Sequence, residues 1–205
     1  MLACLLAPLA APAVDRTVKI VAVGDSLTAG PGLPADATFP AKLARALEKK
    51  GYAVTVTNAG VSGDTASGGL ARLDWSVPEG TDAVILELGA NDMLRGIDPA
   101  VTKAALDQIL GKLTRRHIPV LLAGMKSLDN FGADYARAFN AIYPALASTH
   151  SVVFYPFFLA GVAGKPEFNQ GDGLHPNAAG VDVIVARILP QVETLIARAR
   201  AARGS

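Results

Sequence analysis

The segment VKIVAVGDSL, residues 18–27, is the part of the chain that decides its fold. Five of its first six residues are apolar, and a short apolar run of this kind is typical of a buried strand. Gly24 stops the run, and Ser26 follows at the corner where the strand would pass into a helix. A serine at such a corner can cap the helix or present its hydroxyl to a cleft.

Four more apolar runs of strand length follow, and helical patterns separate them. The predicted strands lie at 53–57, 83–88, 118–123 and 151–154, and the predicted helices at 39–50, from Asp98 onward, 135–147 and 177–199. This alternation predicts βαβ units, and hence a parallel sheet covered by helices on both faces. A length of 205 residues fits a single domain of this α/β class.

Details of the helices can also be predicted. Asp98 and Pro99 suit a helix start, because Asp caps the first turn and Pro fits the first helical position. Apolar residues at spacing four then predict one buried helix face; they are Val101, Ala105, Ile109 and Leu113. Pro144 and Pro190 are expected to interrupt or kink the last two helices.

Composition excludes several classes of protein. The formal net charge is +1 and 51% of the residues are hydrophobic, so the chain resembles neither a disordered segment nor a nucleic-acid binder. The sequence has no H-E-x-x-H motif and no P-loop signature, so we expect neither a metal site nor a nucleotide cofactor. The oligomeric state is left open, and a monomer is compatible with the sequence.

The first thirteen residues differ from the rest of the chain. Residues 1–13 carry no charge and end in Ala-Pro-Ala, which is typical of the apolar and cleavage regions of a signal peptide. We therefore predict a partial signal peptide at 1–13, a single domain at 14–205, and a periplasmic or secreted location. The segment is shorter than the roughly 20 residues that span a bilayer, so stable membrane insertion is not expected. Cys4 is the only cysteine, and its removal with this segment would exclude disulfides and thiol chemistry.

Polar residues follow the predicted strands where parallel α/β sheets carry their sites. After Ser26 come Gly60 in NAGVSGDT, Asn91 in GAND, and the Asp172/His175 pair in DGLHP. Acyl transfer needs a nucleophile, a base, a group that orients the base, and donors for the oxyanion. The sequence offers Ser26 as nucleophile, His175 as base and Asp172 as its orienting carboxylate. The predicted oxyanion donors are the Ser26 and Gly60 N–H groups and the Asn91 amide.

Each piece has a plainer interpretation when it is taken alone. Asn91 could close a turn, and Gly60 could be needed only for backbone geometry. The other two histidines, His117 and His150, lie near predicted helix ends with no comparable partner, and we interpret them as structural or solvent-facing. The joint occurrence of all four pieces, in order and after successive strands, favours catalysis.

These residues resemble the blocks of the GDSL or SGNH hydrolase family, which is named for its Ser, Gly, Asn and His. The similarity runs from about Val18 to the last helix and is greatest to the bacterial periplasmic thioesterase I/protease I/lysophospholipase group, which includes arylesterases. The resemblance implies a flavodoxin-like three-layer α/β/α sandwich with a five-stranded parallel sheet. It also implies catalysis by Ser26, Asp172 and His175 with no metal or organic cofactor. Ala90 stands where many members of that group have a second glycine.

The substrate is the least constrained property. Apolar loops at 125–131 and 157–168 lie beside the presumed cleft, and we expect Leu27, Phe157, Phe158 and Leu159 to line an acyl groove. The leading hypothesis is a serine esterase acting on aryl or short-to-medium acyl esters, with thioesters or lysophospholipids as further small-molecule substrates. The alternatives are a carbohydrate O-acetylesterase of the same fold, which the single tryptophan, Trp75, disfavours, and a non-catalytic flavodoxin-like binding module.

Overall fold

Five parallel strands form one sheet in the computed structural model, which describes residues 16–202. The strands are Val18–Gly24 (β1), Val54–Gly60 (β2), Ala83–Glu87 (β3), Val120–Ala123 (β4) and Val153–Tyr155 (β5). Their order, β2-β1-β3-β4-β5, is that of flavodoxin-like sheets. The predicted fold class is confirmed, whereas the predicted signal segment at 1–13 lies outside the described residues.

Eight α-helices in the described chain connect and cover the strands. They are Ser26–Ala29 (α1), Phe39–Lys49 (α2), Ala66–Ala71 (α3), Leu73–Ser76 (α4), Ala90–Leu94 (α5), Pro99–Arg115 (α6), Ala133–Thr149 (α7) and Ala178–Ala202 (α8). Short 3₁₀ turns lie at Ala35–Ala37, Asp129–Phe131 and Pro166–Phe168. Helices α2 and α8 pack together on one side of the sheet, and α3, α6 and α7 pack in a row on the other. This is the three-layer arrangement.

Burial of the strands explains their composition. All five residues of β3 are buried, and Lys19 is the one exposed residue of β1, because both strands are covered on both faces. Strand β2 lies at the edge of the sheet, and of its residues only Val54 is buried. The continuous apolar runs therefore mark the central strands.

The register brings the ends of three strands together. Gly24 of β1 pairs with Gly60 of β2 on one side and with Glu87 of β3 on the other. After β1 the chain crosses to β2 on one side, and after β2 it crosses back to β3 on the other side of β1. Such a topological switch point opens a crevice at the carboxyl edge. Ser26, the loop after β2 and Asn91 all begin at this crevice.

The predicted interruption of two helices and one predicted buried residue were wrong. Helices α7 and α8 continue through Pro144 and Pro190, although an internal proline costs about 3 kcal/mol. Both helices bury apolar residues on either side of the proline, and this packing outweighs the lost hydrogen bond. Val101 is exposed; the buried face of α6 instead starts at Thr102, whose hydroxyl donates to Asp92 Oδ1 at 3.0 Å.

Within residues 16–202, no helix is both long enough and apolar enough to span a bilayer.

Candidate active site

Ser26 is the first residue of α1, immediately after the strand-to-helix corner. Asp25 caps this short helix, because its Oδ1 accepts a hydrogen bond from the Leu27 N–H at 2.9 Å. Helix α1 ends at Gly30, which adopts φ 77°. The corner places Ser26 at the carboxyl edge of β1, and its backbone N–H meets no acceptor within the described chain.

The loop before α8 carries His175 and Asp172. Asp172 Oδ1 accepts hydrogen bonds from the Leu174 and His175 N–H groups at 2.9 and 3.0 Å, and its Oδ2 lies 2.5 Å from His175 Nδ1. The backbone N–H of His175, its ring and the Leu174 N–H hold the pKa of Asp172 well below its usual range. An ionised Asp172 accepts from Nδ1 and so fixes the ring tautomer that leaves Nε2 free to accept a proton.

The structure brings Ser26 to this pair. His175 Nε2 lies 3.0 Å from Ser26 Oγ, so hydroxyl, imidazole and carboxylate stand in one hydrogen-bonded line. This line can carry the serine proton to the imidazole, as a serine nucleophile requires.

A second histidine–aspartate pair shows that such a pair alone does not mark the site. His150 Nε2 lies 2.6 Å from Asp107 Oδ1, although the sequence suggested no partner for it. His150 caps the C-terminus of α7, at the edge of the sheet opposite to Ser26, because helices run antiparallel to the strands they precede. No serine hydroxyl of the described chain is hydrogen-bonded to its ring.

Asn91 lies where the sequence placed it, in the first turn of α5 after β3. Its Nδ2 donates to Asp25 Oδ2 at 3.0 Å, which uses one of the two hydrogens of the amide. The second hydrogen remains available. Ser26 and Asn91 line the same cavity, so this hydrogen and the Ser26 N–H can serve one oxyanion.

Gly60 ends β2 beside α1. The Gly60 N–H donates to Asn58 Oδ1 at 3.0 Å. A Cβ atom at this position would lie 2.3 Å from the Ala29 nitrogen and 2.9 Å from the Asp25 carbonyl oxygen, so Gly60 is needed for the close approach of β2 to α1. Gly60 therefore lies against the corner that carries Ser26.

The cavity at Ser26 has a volume of about 370 Å³ and is lined mainly by apolar side chains. Leu27, Phe157 and Leu159 are among the residues that line it. Three partly exposed leucines surround its mouth: Leu94, Leu128 and Leu174. Lys126 is the cation of the lining, and its Nζ lies 5.4 Å from the centre of the Phe157 ring.

Phe158 is a correction to the predicted groove. It is fully buried and packs edge-on against Phe39 of α2, with ring centroids 5.0 Å apart. The chain turns here, since the Ala160 N–H donates to the Phe157 carbonyl at 3.1 Å and the Phe158 N–H to the Gly124 carbonyl at 2.8 Å. Phe157 and Leu159 line the cavity while Phe158 enters the core.

Sequence reasoning missed the residues that hold the strand ends in place. The Arg72 guanidinium donates to the carbonyls of Gly24 and Ala59, at the ends of β1 and β2, and to the Asp64 carboxylate at 2.5 Å. Glu87 is buried at the end of β3 and accepts a hydrogen bond from Thr28 Oγ1 at 2.8 Å. A carboxylate inside an otherwise apolar strand was the available signal for Glu87.

Among residues 16–202, no group of three or more His, Cys, Asp or Glu side chains is arranged to hold a metal ion.

Comparison with known proteins agrees with this geometry. The family model described as GDSL-like lipase/acylhydrolase matches residues 22–183. The esterase TesA of Pseudomonas aeruginosa is 38% identical over 178 residues, which cover 86% of this chain and 89% of that protein. An arylesterase of Vibrio mimicus is 40% identical over 165 residues, covering 80% of this chain and 82% of its own length.

A solved structure leads to the same family. AlinE4, an esterase of the SGNH hydrolase family, is 43% identical and superimposes with a TM-score of 0.74 over 87% of this chain and 96% of its own. The predicted family and the predicted enzyme class, carboxylic ester hydrolysis, are confirmed. With most of its length matched by the family model and by these relatives, the chain belongs to the GDSL-like lipase/acylhydrolase family.

Proposed function

We propose that this protein is a serine esterase that hydrolyses acyl esters at Ser26. The observation that carries the proposal is the hydrogen-bonded line from Ser26 Oγ through His175 to Asp172, which opens into an apolar cavity. His175 takes the proton of Ser26 as the oxygen attacks the acyl carbon, and returns it to the leaving alcohol. Water then repeats the sequence on the acyl-enzyme and regenerates Ser26.

Two donors are assigned to the oxyanion by their position. They are the Ser26 N–H and the second hydrogen of the Asn91 amide, neither of which has an acceptor in the described chain. Removal of one preorganised donor typically reduces kcat about 10²–10³-fold, so these donors supply a large part of the rate enhancement.

A third donor is assigned to Gly60, at the end of β2. A Cβ atom on Gly60 would lie 2.9 Å from the Asp25 carbonyl oxygen, so this residue lies against the corner that carries Ser26. In the absence of substrate its N–H donates to Asn58 Oδ1 at 3.0 Å, and the oxyanion would compete with that acceptor.

The cavity supports acyl chains as the substrate class. Its lining is largely apolar and its volume of about 370 Å³ suits a small ligand or a short to medium chain. The exposed Trp75, which a sugar could stack on, lines the separate depression beside Gly60. Aryl and acyl esters are therefore favoured over sugar acetates, and thioesters and lysophospholipids are candidates for the same groove.

The test is hydrolysis of p-nitrophenyl esters, from acetate to long acyl chains, by the wild type and by Ser26→Ala. We expect Ser26→Ala to lose activity by roughly 10³-fold or more while keeping its circular dichroism spectrum. Ser148→Ala, an exposed serine near the far end of α7, is the matched control and should keep full activity. A wild type inactive on every ester, or a fully active Ser26→Ala, would refute the proposal.

Export is proposed separately, on the uncharged apolar composition of residues 1–13. N-terminal sequencing of protein recovered from the periplasm or medium of an expressing bacterium would test it. A mature N-terminus near residue 14 is expected, and an intact N-terminus in the cytoplasmic fraction would contradict export.

A further inference from the structure

Glu87 lies at the end of β3 in a wholly buried position. Its Oε2 accepts hydrogen bonds from Thr28 Oγ1 at 2.8 Å and from the Asp25 N–H at 3.4 Å. Its other oxygen, Oε1, is buried and has no donor within the described chain. An ionised carboxylate with one oxygen unpaired would be costly here, whereas a protonated carboxyl can use that oxygen as a donor.

Asp25 is the neighbouring acid, and it is also fully buried. Its two oxygens are both acceptors in the structure, one for the Leu27 N–H and the other for the Asn91 amide. Burial, and then the charge of Asp25, raise the pKa of Glu87 well above its usual range; burial raises the pKa of Asp25 to about 6. Of these two adjacent acids, Glu87 is the one with an oxygen that lacks a donor, whereas both oxygens of Asp25 accept hydrogen bonds.

We propose that Glu87 stays protonated and donates its hydrogen to the Asp25 carboxylate, and that this acid pair positions the Asn91 amide for catalysis. The inference rests on the proposed function, since it assigns Asn91 to the oxyanion. Glu87 and Asp25 touch neither substrate nor the reacting atoms, so they are positioning residues that act through Asn91.

The orientation of an amide follows from the protonation of its partner. A carboxylate can only accept, so an ionised Asp25 binds the NH₂ end of Asn91 and leaves the second hydrogen free. A protonated Asp25 could donate instead and would draw the carbonyl end of Asn91 toward itself. By holding the proton, Glu87 keeps Asp25 an acceptor and keeps a hydrogen of Asn91 available to the oxyanion.

The fold makes room for this arrangement. A Cβ atom at Gly24 would lie 2.0 Å from Thr28 Oγ1 and 2.6 Å from Glu87 Oε2, so only glycine lets these polar groups meet beside β1. The Thr28 hydroxyl is fully buried and its described hydrogen bond goes to Glu87. Gly24 and Thr28 therefore form a close-fitting polar pocket around the Glu87 carboxyl group.

Other titratable groups act on the pair from the surrounding elements. His175 of the loop before α8 favours the ionised form of Asp25, whereas Asp92 of α5 disfavours it. The Tyr143 hydroxyl of α7 donates to the Leu88 carbonyl next to Glu87, and burial raises the pKa of Tyr143, so it remains neutral. The cation beside the pair, Arg72, donates to the Gly24 carbonyl.

The experiment compares Glu87→Gln with Glu87→Leu on a p-nitrophenyl ester across pH. Glutamine can still donate to Asp25 and accept from Thr28, so Glu87→Gln should keep kcat within about threefold of the wild type. Glu87→Leu removes the donor, and we expect kcat to fall about 30-fold or more with KM changed less than about threefold. The acidic limb of its kcat profile should move to higher pH, because Asp25 loses a donor that favours its ionised form.

A double-mutant comparison separates this mechanism from general damage to the fold. If Glu87 acts through Asn91, Glu87→Leu should cost little further activity in an Asn91→Ala background. Equal losses in both backgrounds would overturn the proposal. So would a Glu87→Leu enzyme with wild-type kcat and pH profile, or a Glu87→Gln enzyme as impaired as Glu87→Leu.

A direct measurement does not depend on activity or on Glu87→Leu folding. Wild-type protein labelled with ¹³C at the glutamate carboxyls should show one carboxyl that remains protonated at neutral pH, and the signal should be absent from Glu87→Gln. A spectrum in which every glutamate is ionised at that pH would overturn the proposal even if the esterase assignment holds.

Discussion

His175 Nε2 lies 3.0 Å from Ser26 Oγ, although the two residues are 149 positions apart in the chain. The contact forms because β1 is an interior strand of the sheet and the loop before α8 returns to the carboxyl edge of that sheet. The Asn169–Pro176 bridge and a 2.7 Å hydrogen bond from the Gln170 N–H to the His175 carbonyl hold that loop.

Replacement of Asn91 by alanine should reduce kcat more than it raises KM. The amide is assigned to the oxyanion, which forms during the reaction, so its loss should lower kcat roughly 10²-fold. Asn91→Asp should be as poor or worse, because a carboxylate would repel both Asp25 and the oxyanion. Steady-state kinetics on p-nitrophenyl acetate measures both constants, and a rise in KM alone would contradict the assignment.

The assignment of Gly60 to the oxyanion can be tested at Asn58. Asn58→Ala releases the Gly60 N–H from its acceptor. If Gly60 is an oxyanion donor, release of its hydrogen should increase kcat, and a kcat unchanged within about twofold would contradict the assignment. Gly63→Ala is the control: its φ of 85° adds a backbone penalty of about 1 kcal/mol, which thermal unfolding would measure.

Alanine at Phe157 or Leu159 should change chain-length preference, whereas alanine at Phe158 should change stability. Phe158 is buried against Phe39, so Phe158→Ala should cost about 3–5 kcal/mol of unfolding free energy. The double variant Phe157→Ala/Leu159→Ala should lose activity mainly on long acyl esters. Urea unfolding and an ester series would separate these effects, and an unchanged chain-length profile in the double variant would exclude the groove.

Asp25 should make stability depend on pH in a defined window. Its pKa is 3.8 in the unfolded chain and about 6 in the fold, so the native state binds the extra proton between these values. The stability contribution is present below about pH 4 and is lost as pH rises through about 6, by up to roughly 3 kcal/mol.

Asp25→Asn lacks this titration. The unfolding free energy of Asp25→Asn minus that of the wild type should therefore increase from about pH 4 to about pH 7, as urea titrations would show. The pKa of Asp172 is lowered in the fold, so Asp172 makes the unfolding free energy rise with pH rather than fall. This contribution is the same in both proteins and cancels from the difference. A difference that is constant over this range would mean that Asp25 is not a raised acid.

The sequence by itself determined the α/β class, the five strands and the three residues of the Ser26, His175 and Asp172 line. These follow from local patterns: apolar runs covered on both faces, and polar residues at the ends of successive parallel strands, which must meet at one edge. Asp172 and His175 are three residues apart, so their pairing could also be predicted from the local sequence.

Only the tertiary structure decided where neighbouring atoms point. In the structure the Gly60 N–H donates to Asn58, and Phe158 packs in the core. Helices α7 and α8 continue through their prolines, and Glu87 lies beside Asp25. Each outcome depends on a partner distant in the chain or on the direction of a single group. Residue type and spacing do not encode those directions, because hydrogen bonding and packing fix them only when all layers are assembled.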